Sequence, residues 1–425
     1  MVRMPISLSN RLRIFLPFAV GYFLSYLYRT INSVLAPDLV SELGIAPSAL
    51  GLLTAVYFIT FAAFQLPLGI LLDRYGPRRI EAVLLLFAAA GAFVFANAQS
   101  LWGLVLGRGL IGLGVSACLM AAFKAFVIWF PVKQLPRING YQMAAGGLGA
   151  LTATAPVEAM LSVTDWRGVF HILSLLTLLV AVAIFVVVPK GRDTRSVLRL
   201  SEQLKGIGEV TTSLTFWRIA PWTTLSTAGF QSMQGLWAGP WLRDVAGLDR
   251  TGVAGTLLLM AAAMVAGHIT LGTAAERLSR HAIPPMAVAA AGMGLFMLTE
   301  TVIMFQCRTA VAGQWFFFGF FGAAAILPYA VLSQSFPSHL AGRVNTALNL
   351  LVFVSAFSAQ WGMGGVINLW PVSAEGGYAP TAYRVTIGSI LGLQLLSLGW
   401  YLLAGRLMHR RRAGRARFAK VVKGI

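Results

Sequence analysis

The chain has 425 residues, of which 57% are hydrophobic and only 11% charged, with a mean hydropathy of +0.76. A soluble domain carries about 25% charged residues, so this composition excludes a water-soluble globular protein with an ordinary polar surface. The net charge of +19 raises nucleic acid as a partner, and the placement of the charges decides against it.

A helix that crosses a bilayer needs about 20 largely apolar residues. Twelve such spans are predicted, near 13–36, 48–71, 79–99, 102–128, 139–162, 168–189, 217–241, 251–273, 284–306, 311–334, 344–370 and 383–405. With both termini cytoplasmic, and residues in the end turn of a span counted with the adjoining loop, three of the 33 Lys and Arg fall within spans (Arg29, Arg108, Lys124) and five on the external side (Arg167, Arg243, Arg250, Arg308, Arg384). The other 25 are cytoplasmic, which is the asymmetry that orients membrane helices. The cluster 410-RRRAGRAR-417 therefore reads as a topology anchor on anionic lipid. The start MVRMPISLSNRLR is short and basic and runs into an apolar stretch long enough to cross, so no cleaved leader is expected. The expected location is a bacterial inner membrane.

Span one carries Tyr22, Ser25, Tyr26, Arg29 and Ser33 on one helical face. An ionisable residue inside a bilayer is costly and marks function, so Arg29 heads the candidate solute-binding set, with Tyr22 and Tyr26 beside it and Tyr57 from span two. After span two comes GILLDRYGPRR, with Gly69, Asp73, Arg74, Gly76, Arg78 and Arg79. An acid at this helix end can pair with the arginines and meet a neighbouring helix N-terminus, a latch that breaks when two bundles rock; the alternative is arginines that only set topology. Span four holds Arg108, in Arg108-xxx-Gly112-x-Gly114, and Lys124. Sixteen residues at ~100° per residue point the two ~160° apart on a straight helix. Spacing alone does not say which of the two faces the solute, and Lys124 can also snorkel to the inner surface. Span five's AAGGLGAL run, with Gly146, Gly147 and Gly149, permits close helix packing.

The longest polar stretch, 190–215, is expected to be a cytoplasmic linker between an N-terminal bundle (1–189) and a C-terminal bundle (216–425). In the second half, Gln231 and Gln234 share a face of span seven; Asn345, Asn349, Phe353 and Gln360 share one of span eleven. These amides either bind solute or join helices. His268 is a weak candidate proton relay. Trp237, Trp241 and Trp361 are expected to pack, and 315-WFFFGFF-321 to form an outer aromatic belt. The acids nearest to spans, Glu158 and Glu300, fall towards external ends, which leaves no clearly buried acid. Cys118 and Cys307 form no metal or redox motif; both are expected to pack, and no cofactor or metal site is expected.

The halves repeat each other. Pro37-x-Leu39 with Gly44-Ile45 recurs as Pro240-x-Leu242 with Gly247-Leu248, and Gly69-xxx-Asp73-Arg74 as Gly272-xxx-Glu276-Arg277, both at an offset of 203. Phe130-Pro131 with Arg137-Ile138-Asn139 recurs as Phe336-Pro337 with Arg343-Val344-Asn345 at 206, and Trp166-Arg167 echoes loosely in Tyr383-Arg384. Such repeats build many secondary transporters, with the solute site at the repeat interface.

The motif from Gly69 to Arg79, with Arg108-xxx-Gly112-x-Gly114, resembles the signatures of the major facilitator superfamily. The resemblance implies an all-α fold of twelve transmembrane helices in two pseudo-symmetric bundles, with Glu276 and Arg277 joining the first-half motif and Arg108 in conformational control. Tyr26-Leu-Tyr28-Arg29, Gln65-Leu-Pro67-Leu-Gly69 and Lys124 before Trp129-Phe130-Pro131 resemble the anion:cation symporter branch. That branch has an acid before the span-one arginine and another in span four; here the first is Tyr28, and span four has no Asp or Glu. The expectation is a secondary transporter, acting as a monomer by alternating access, that moves a small organic anion such as a carboxylate or sugar acid. A proton or sodium ion is the expected coupling partner. The alternative is an exporter of amphipathic drugs or metabolites, although span five lacks GPxxGG. An enzyme is not expected, because the spans hold no paired carboxylates, HExxH or nucleophile motif.

Overall fold

The computed structural model describes residues 8–130, 135–189, 205, 208–337, 340–372 and 377–423. Most of the 190–215 stretch and Pro131 lie outside them, as do the side chains of Asp73, Arg137 and residues 408–423. In hydrocarbon every backbone N–H and C=O must pair internally, and the described chain accordingly runs as twelve helical rods. These are α1 (Leu8–Thr30, then Asn32–Leu43), α2 (Pro47–Tyr75), α3 (Pro77–Asn97), α4 (Leu101–Gly114, then Cys118–Trp129), α5 (Leu135–Thr152, then Ala155–Leu161) and α6 (Trp166–Val187). The second half repeats the series with α7 (Leu214–Ser232, a π turn Met233–Trp237, then Ala238–Asp244), α8 (Arg250–Ser279), α9 (Pro285–Met304), α10 (Val311–Gly322, a tighter turn Ala323–Ile326, then Leu327–Gln334), α11 (Ala341–Ile367) and α12 (Pro380–Lys423).

Among the described residues nine helices are long and apolar enough to cross a membrane, and ten when the two pieces of α1, bent by 47°, count as one span. The interrupted rods α5 and α7 are the two outside that number. Local chemistry sets the ends. Ser100, Asp165 and Asp249 accept from the N–H groups of Gly103, Gly168 and Gly252, capping α4, α6 and α8. The repeated Gly44 and Gly247 sit at φ 61° and 70°, so each closes the first rod of its half in the left-handed conformation that glycine adopts without strain.

The repeat extends to side chains. At the end of α1, Glu42 accepts from Trp166 Nε1 (2.6 Å) and from Arg167 (2.6 Å) at the start of α6. These bonds hold the Glu42 carboxyl below its ordinary range. At the end of α7, Asp244 accepts from Tyr383 Oη (2.7 Å) and from Tyr378 N–H (2.9 Å) at the start of α12. The loose echo between Trp166-Arg167 and Tyr383-Arg384 thus has a common structural purpose, since in each half a carboxylate ties the last rod to the first.

Packing within the first half depends on glycine. A Cβ at Gly112 would collide with the backbone of Tyr57, and one at Gly149 with that of Phe23, so α4 lies directly on α2 and α5 on α1. Three expectations need correction. Rod α4 is not one regular helix, because residues 115–117 interrupt it. The 315–321 run is not simply a lipid-facing belt: Trp315 and Phe318 are buried, where Trp315 packs edge-on to Trp241 (5.4 Å) and Phe318 lies 4.9 Å from Phe296. Cys118 is buried as expected, whereas Cys307 is exposed beside Thr309.

Gly112→Ala should lower stability by about 1–3 kcal/mol, because the added methyl meets main chain that cannot yield. The check is a thermal-unfolding midpoint in detergent, with Gly255→Ala, where the same methyl enters open space, as control.

Candidate functional site

Between the halves lies a cavity of about 390 Å³. Its first-half walls come from α1, α2, α4 and α5, and its second-half walls from α7, α8, α10 and α11, which are the same four rods by the internal repeat. Asn345 lies in the wall and is exposed, so the cavity reaches water at the end of the molecule that carries the start of α11.

Arg29 is the charged centre of this wall. Its side chain is only 9% exposed, and Nε has no hydrogen-bond partner. The guanidinium carbon lies 4.5 Å from the Tyr26 ring centre, 5.9 Å from Tyr57, 5.5 Å from Phe61 and 5.3 Å from Phe353. A cation over aromatic faces is attracted by the ring quadrupole, and Phe353, on α11, belongs to the opposite half. Among the described residues no Asp or Glu lines the cavity or pairs with Arg29.

Of the other predicted contacts, Tyr22, Tyr26, Gln231, Gln234 and Asn349 all line the cavity. Tyr22 Oη donates to Met143 Sδ (3.7 Å), Gln234 Nε2 to Met264 Sδ (3.3 Å), and Asn349 accepts from Tyr329 Oη (3.3 Å). Four expected placements change. Tyr57 is fully buried behind the wall and donates to the Ser25 carbonyl (3.1 Å), bracing the segment that holds Arg29. Lys124 is half-buried and not a wall residue, although its neighbour Phe123 is. Ser33 follows the break at Ile31 and faces Gly239 of α7 instead of the cavity. Gln360 is buried outside the wall, where its backbone carbonyl accepts from Trp237 Nε1 (3.1 Å). Arg108 is internal, donating to the Tyr28 carbonyl (2.8 Å). Gln65, Tyr329 and His268 also line the cavity; for the first two, the signal was polarity on rods already facing the interface.

The acids also need correction. Glu81 is fully buried, and Glu300 is buried with Gln394 Nε2 donating to it (2.6 Å).

The ends of the molecule differ. At the end that carries Asp38, Arg250 of α8 pairs with both Asp38 oxygens (2.9 Å each) and with Glu158 (2.9 Å), joining the second half to α1 and α5 of the first. Among the described residues these are the ion pairs that join the halves. At the opposite end the contacts of the motif that follows α2, and of its repeat after α8, stay local. Arg78 donates to the Phe185 carbonyl (2.7 Å), Arg74 lies over its neighbour Tyr75, and Glu276 accepts from Arg280 (2.7 Å). The Asp73 side chain, central to the expected latch, lies outside the described residues.

Residues 18–360 match the family model of the Major Facilitator Superfamily. The chain belongs to that superfamily. As a Major Facilitator protein it is a multi-pass membrane transporter and not an enzyme. The fold matches a bacterial homologue of the human lysosomal transporter Spinster in an inward-facing, unoccupied conformation, with a TM-score of 0.77 over 94% of this chain and 98% of that one at 17% identity. It also matches the D-xylose-proton symporter, with a TM-score of 0.68 over 90% and 97% at 16% identity. The probable sulfoacetate transporter SauU of Cupriavidus necator is 29% identical over 157 residues, 37% of this chain and 36% of that protein. The probable L-galactonate transporter of Escherichia coli is 30% identical over 166 residues, 37% and 35% respectively. The matched stretch thus spans about a third of these curated relatives.

The Arg250 cluster generates a direct test. Ala254 is buried beside it, in a small pocket lined by Ser33, Glu158 and Arg250. In a Cys307→Ser background, Ala254→Cys should react with thiol reagents about two- to tenfold faster when Arg250→Ala is added, since exposed ion pairs contribute roughly 0.2–1 kcal/mol each. An unchanged rate would remove the cluster from control of this face.

Proposed function

We propose that the chain moves a small organic anion by alternating access, with the anionic group held by Arg29. The observation that carries this reading is a buried guanidinium in the cavity wall with no carboxylate facing it among the described residues. A buried charge without a counter-charge is unfavourable. A carboxylate or sulfonate relieves that cost on binding, and the planar guanidinium offers it two parallel donors. Tyr22, Tyr26, Gln231, Gln234 and Asn349 surround the same space with hydroxyls and amides suited to a polar solute tail. Tyr57 supports Arg29 from behind, and Lys124 adds positive charge beside the wall. The kinship with proteins named as sulfoacetate and L-galactonate transporters supports the same class of solute.

In this reading the Asp38 end is external and closed, the Asn345 end is cytoplasmic and open, and both termini are cytoplasmic in a bacterial inner membrane. Residues 1–189 and 216–425 are the moving bodies and 190–215 the tether. The motif residues Gly69, Asp73, Arg74, Gly76, Arg78 and Arg79, with Glu276 and Arg277, engage across the halves in the opposite state. Arg108 holds α4 to the Tyr28 carbonyl in both.

Charge-assisted hydrogen bonds contribute roughly 1.5–3 kcal/mol, so Arg29→Ala should weaken binding by about 10- to 150-fold, and Arg29→Lys should recover only part. Thermal-shift titration of wild type and both variants with L-galactonate and galacturonate, each paired with its neutral amide, measures this. Amides that bind wild type as well as the acids do would end the anion reading.

Orientation has its own check. Val163 is 88% exposed at the Asp38 end. In a Cys307→Ser background, Val163→Cys should be labelled in intact cells by a membrane-impermeant thiol reagent, and silence there would invert the topology.

A further inference from the structure

Rod α12 begins beside Asp244 and therefore ends, where α7 begins, at the Asn345 end of the molecule. Its apolar span runs to Leu407, so residues 400–407 form the last turns at membrane depth. Against them α7 opens with Leu214-Thr-Phe-Trp217-Arg218. A charge at this depth reaches for the lipid headgroups or takes a partner within the protein.

The Arg218 guanidinium is seated on α12. Its carbon lies 4.7 Å from the Tyr401 ring centre, and Nε donates to the Tyr401 carbonyl (3.4 Å). Trp222 backs the Tyr401 ring at 5.6 Å. Gly405 leaves the room, since a Cβ there would come within 2.7 Å of Nη2. This seat engages Nε alone. Among the described residues no carboxylate pairs with Arg218, Glu209 just before α7 included, and neither terminal nitrogen has a hydrogen-bond partner. A guanidinium carries five N–H donors in a rigid fork, so four remain unused.

Two indoles lie beside the seat. Trp400 Nε1 donates to the Trp217 carbonyl (2.6 Å), and Trp217 Nε1 to the Thr211 carbonyl (2.5 Å). Both rings are thus pinned by their N–H, yet they are 38% and 39% exposed. Tryptophan so placed belongs to the boundary between headgroups and acyl chains. The face therefore offers a fixed cation with unused donors beside two apolar rings, where the bilayer is the neighbour.

We propose that this face is a binding site for an anionic phospholipid, whose phosphate accepts from the terminal nitrogens of Arg218 while its glycerol and acyl chains lie on Trp217 and Trp400. A phosphodiester matches the guanidinium fork in charge and spacing, and basic pockets between membrane helices hold such headgroups. Arg406, exposed one residue after Gly405, adds positive charge that disfavours the ammonium of a zwitterionic headgroup. Occupied, the site ties the start of α7 to the end of α12 and so braces, from the lipid side, a rod that lines the cavity. The proposal rests on the seat of Arg218, and on neither the transported solute nor the direction in which the molecule faces.

The test is native mass spectrometry of the full chain in detergent, with phosphatidylglycerol or phosphatidylcholine as the probe. Wild type should retain one phosphatidylglycerol in preference to phosphatidylcholine. Arg218→Gln should lower that retention about tenfold, the lower end of what charge-assisted hydrogen bonds contribute. Arg13→Gln, which removes an exposed charge from the same end, should leave retention unchanged. Equal losses in the two variants, or no loss in Arg218→Gln, would overturn the proposal. If Arg218→Gln fails to fold, Gly405→Ala decides, because it keeps every charge and displaces only the flexible end of Arg218: reduced retention supports the site, and unchanged retention removes it. A thermal-shift arm separates lipid from soluble anion. Phosphatidylglycerol should raise the unfolding midpoint of wild type and inorganic phosphate should not; an equal rise with phosphate would defeat the lipid assignment.

Discussion

A chain surrounded by hydrocarbon has no water to satisfy an open peptide group, so each interruption of a helix must be sheltered by protein or face an aqueous cavity. The distribution of interruptions here follows that constraint. Rod α1 breaks at Ile31, α4 at 115–117, α5 at 153–154, α7 in a π turn and α10 in a tighter turn. All five line the cavity, whereas α3, α6, α9 and α12, which do not, run without a break. The outer rods act as continuous supports, and the irregular backbone is gathered where the two halves meet. The π turn of α7 contains Gln234, so the irregularity itself helps to aim a wall amide.

Arg29 sits where this inner set converges. Its cation is desolvated by rings from α1, α2 and α11, and Phe61 and Phe353 approach to 4.3 Å across the boundary between the halves. The same contact that shields the guanidinium thus joins the two bodies. A change at the cation and a change at the interface are mechanically one event, without any need for a long relay of contacts between them.

Much of this arrangement was legible in the sequence, and the exceptions have physical causes. Apolar length alone located the rods, and the repeated Gly44 and Gly247 marked equivalent left-handed turns. Helical spacing grouped Tyr22, Tyr26 and Arg29 correctly because that part of α1 is regular, and it failed for Ser33 because the rod bends at Ile31. It failed for Gln360 because α11 leaves the cavity for the closed end. Glu81 was invisible for a different reason: hydropathy registers an acid four residues after Pro77 as the mouth of a span, and only the packing of Gly21 reveals that the space beside α1 is reserved for a side chain. The Arg250 cluster joins residues 212 and 92 positions apart, a separation that no local pattern encodes. The glycine run of α5 was readable as a packing device; Gly147 also meets Val265 of α8, which places one of its contacts across the halves.

The Arg250 side chain is half exposed to solvent while it bridges Asp38 and Glu158. Attraction between such charges is screened over about 8 Å at physiological ionic strength and over about 3 Å in molar salt. The Asp38 end is consequently held by an interaction that the bathing electrolyte itself weakens, so the ionic strength of the water at that end sets how firmly the two halves are joined there.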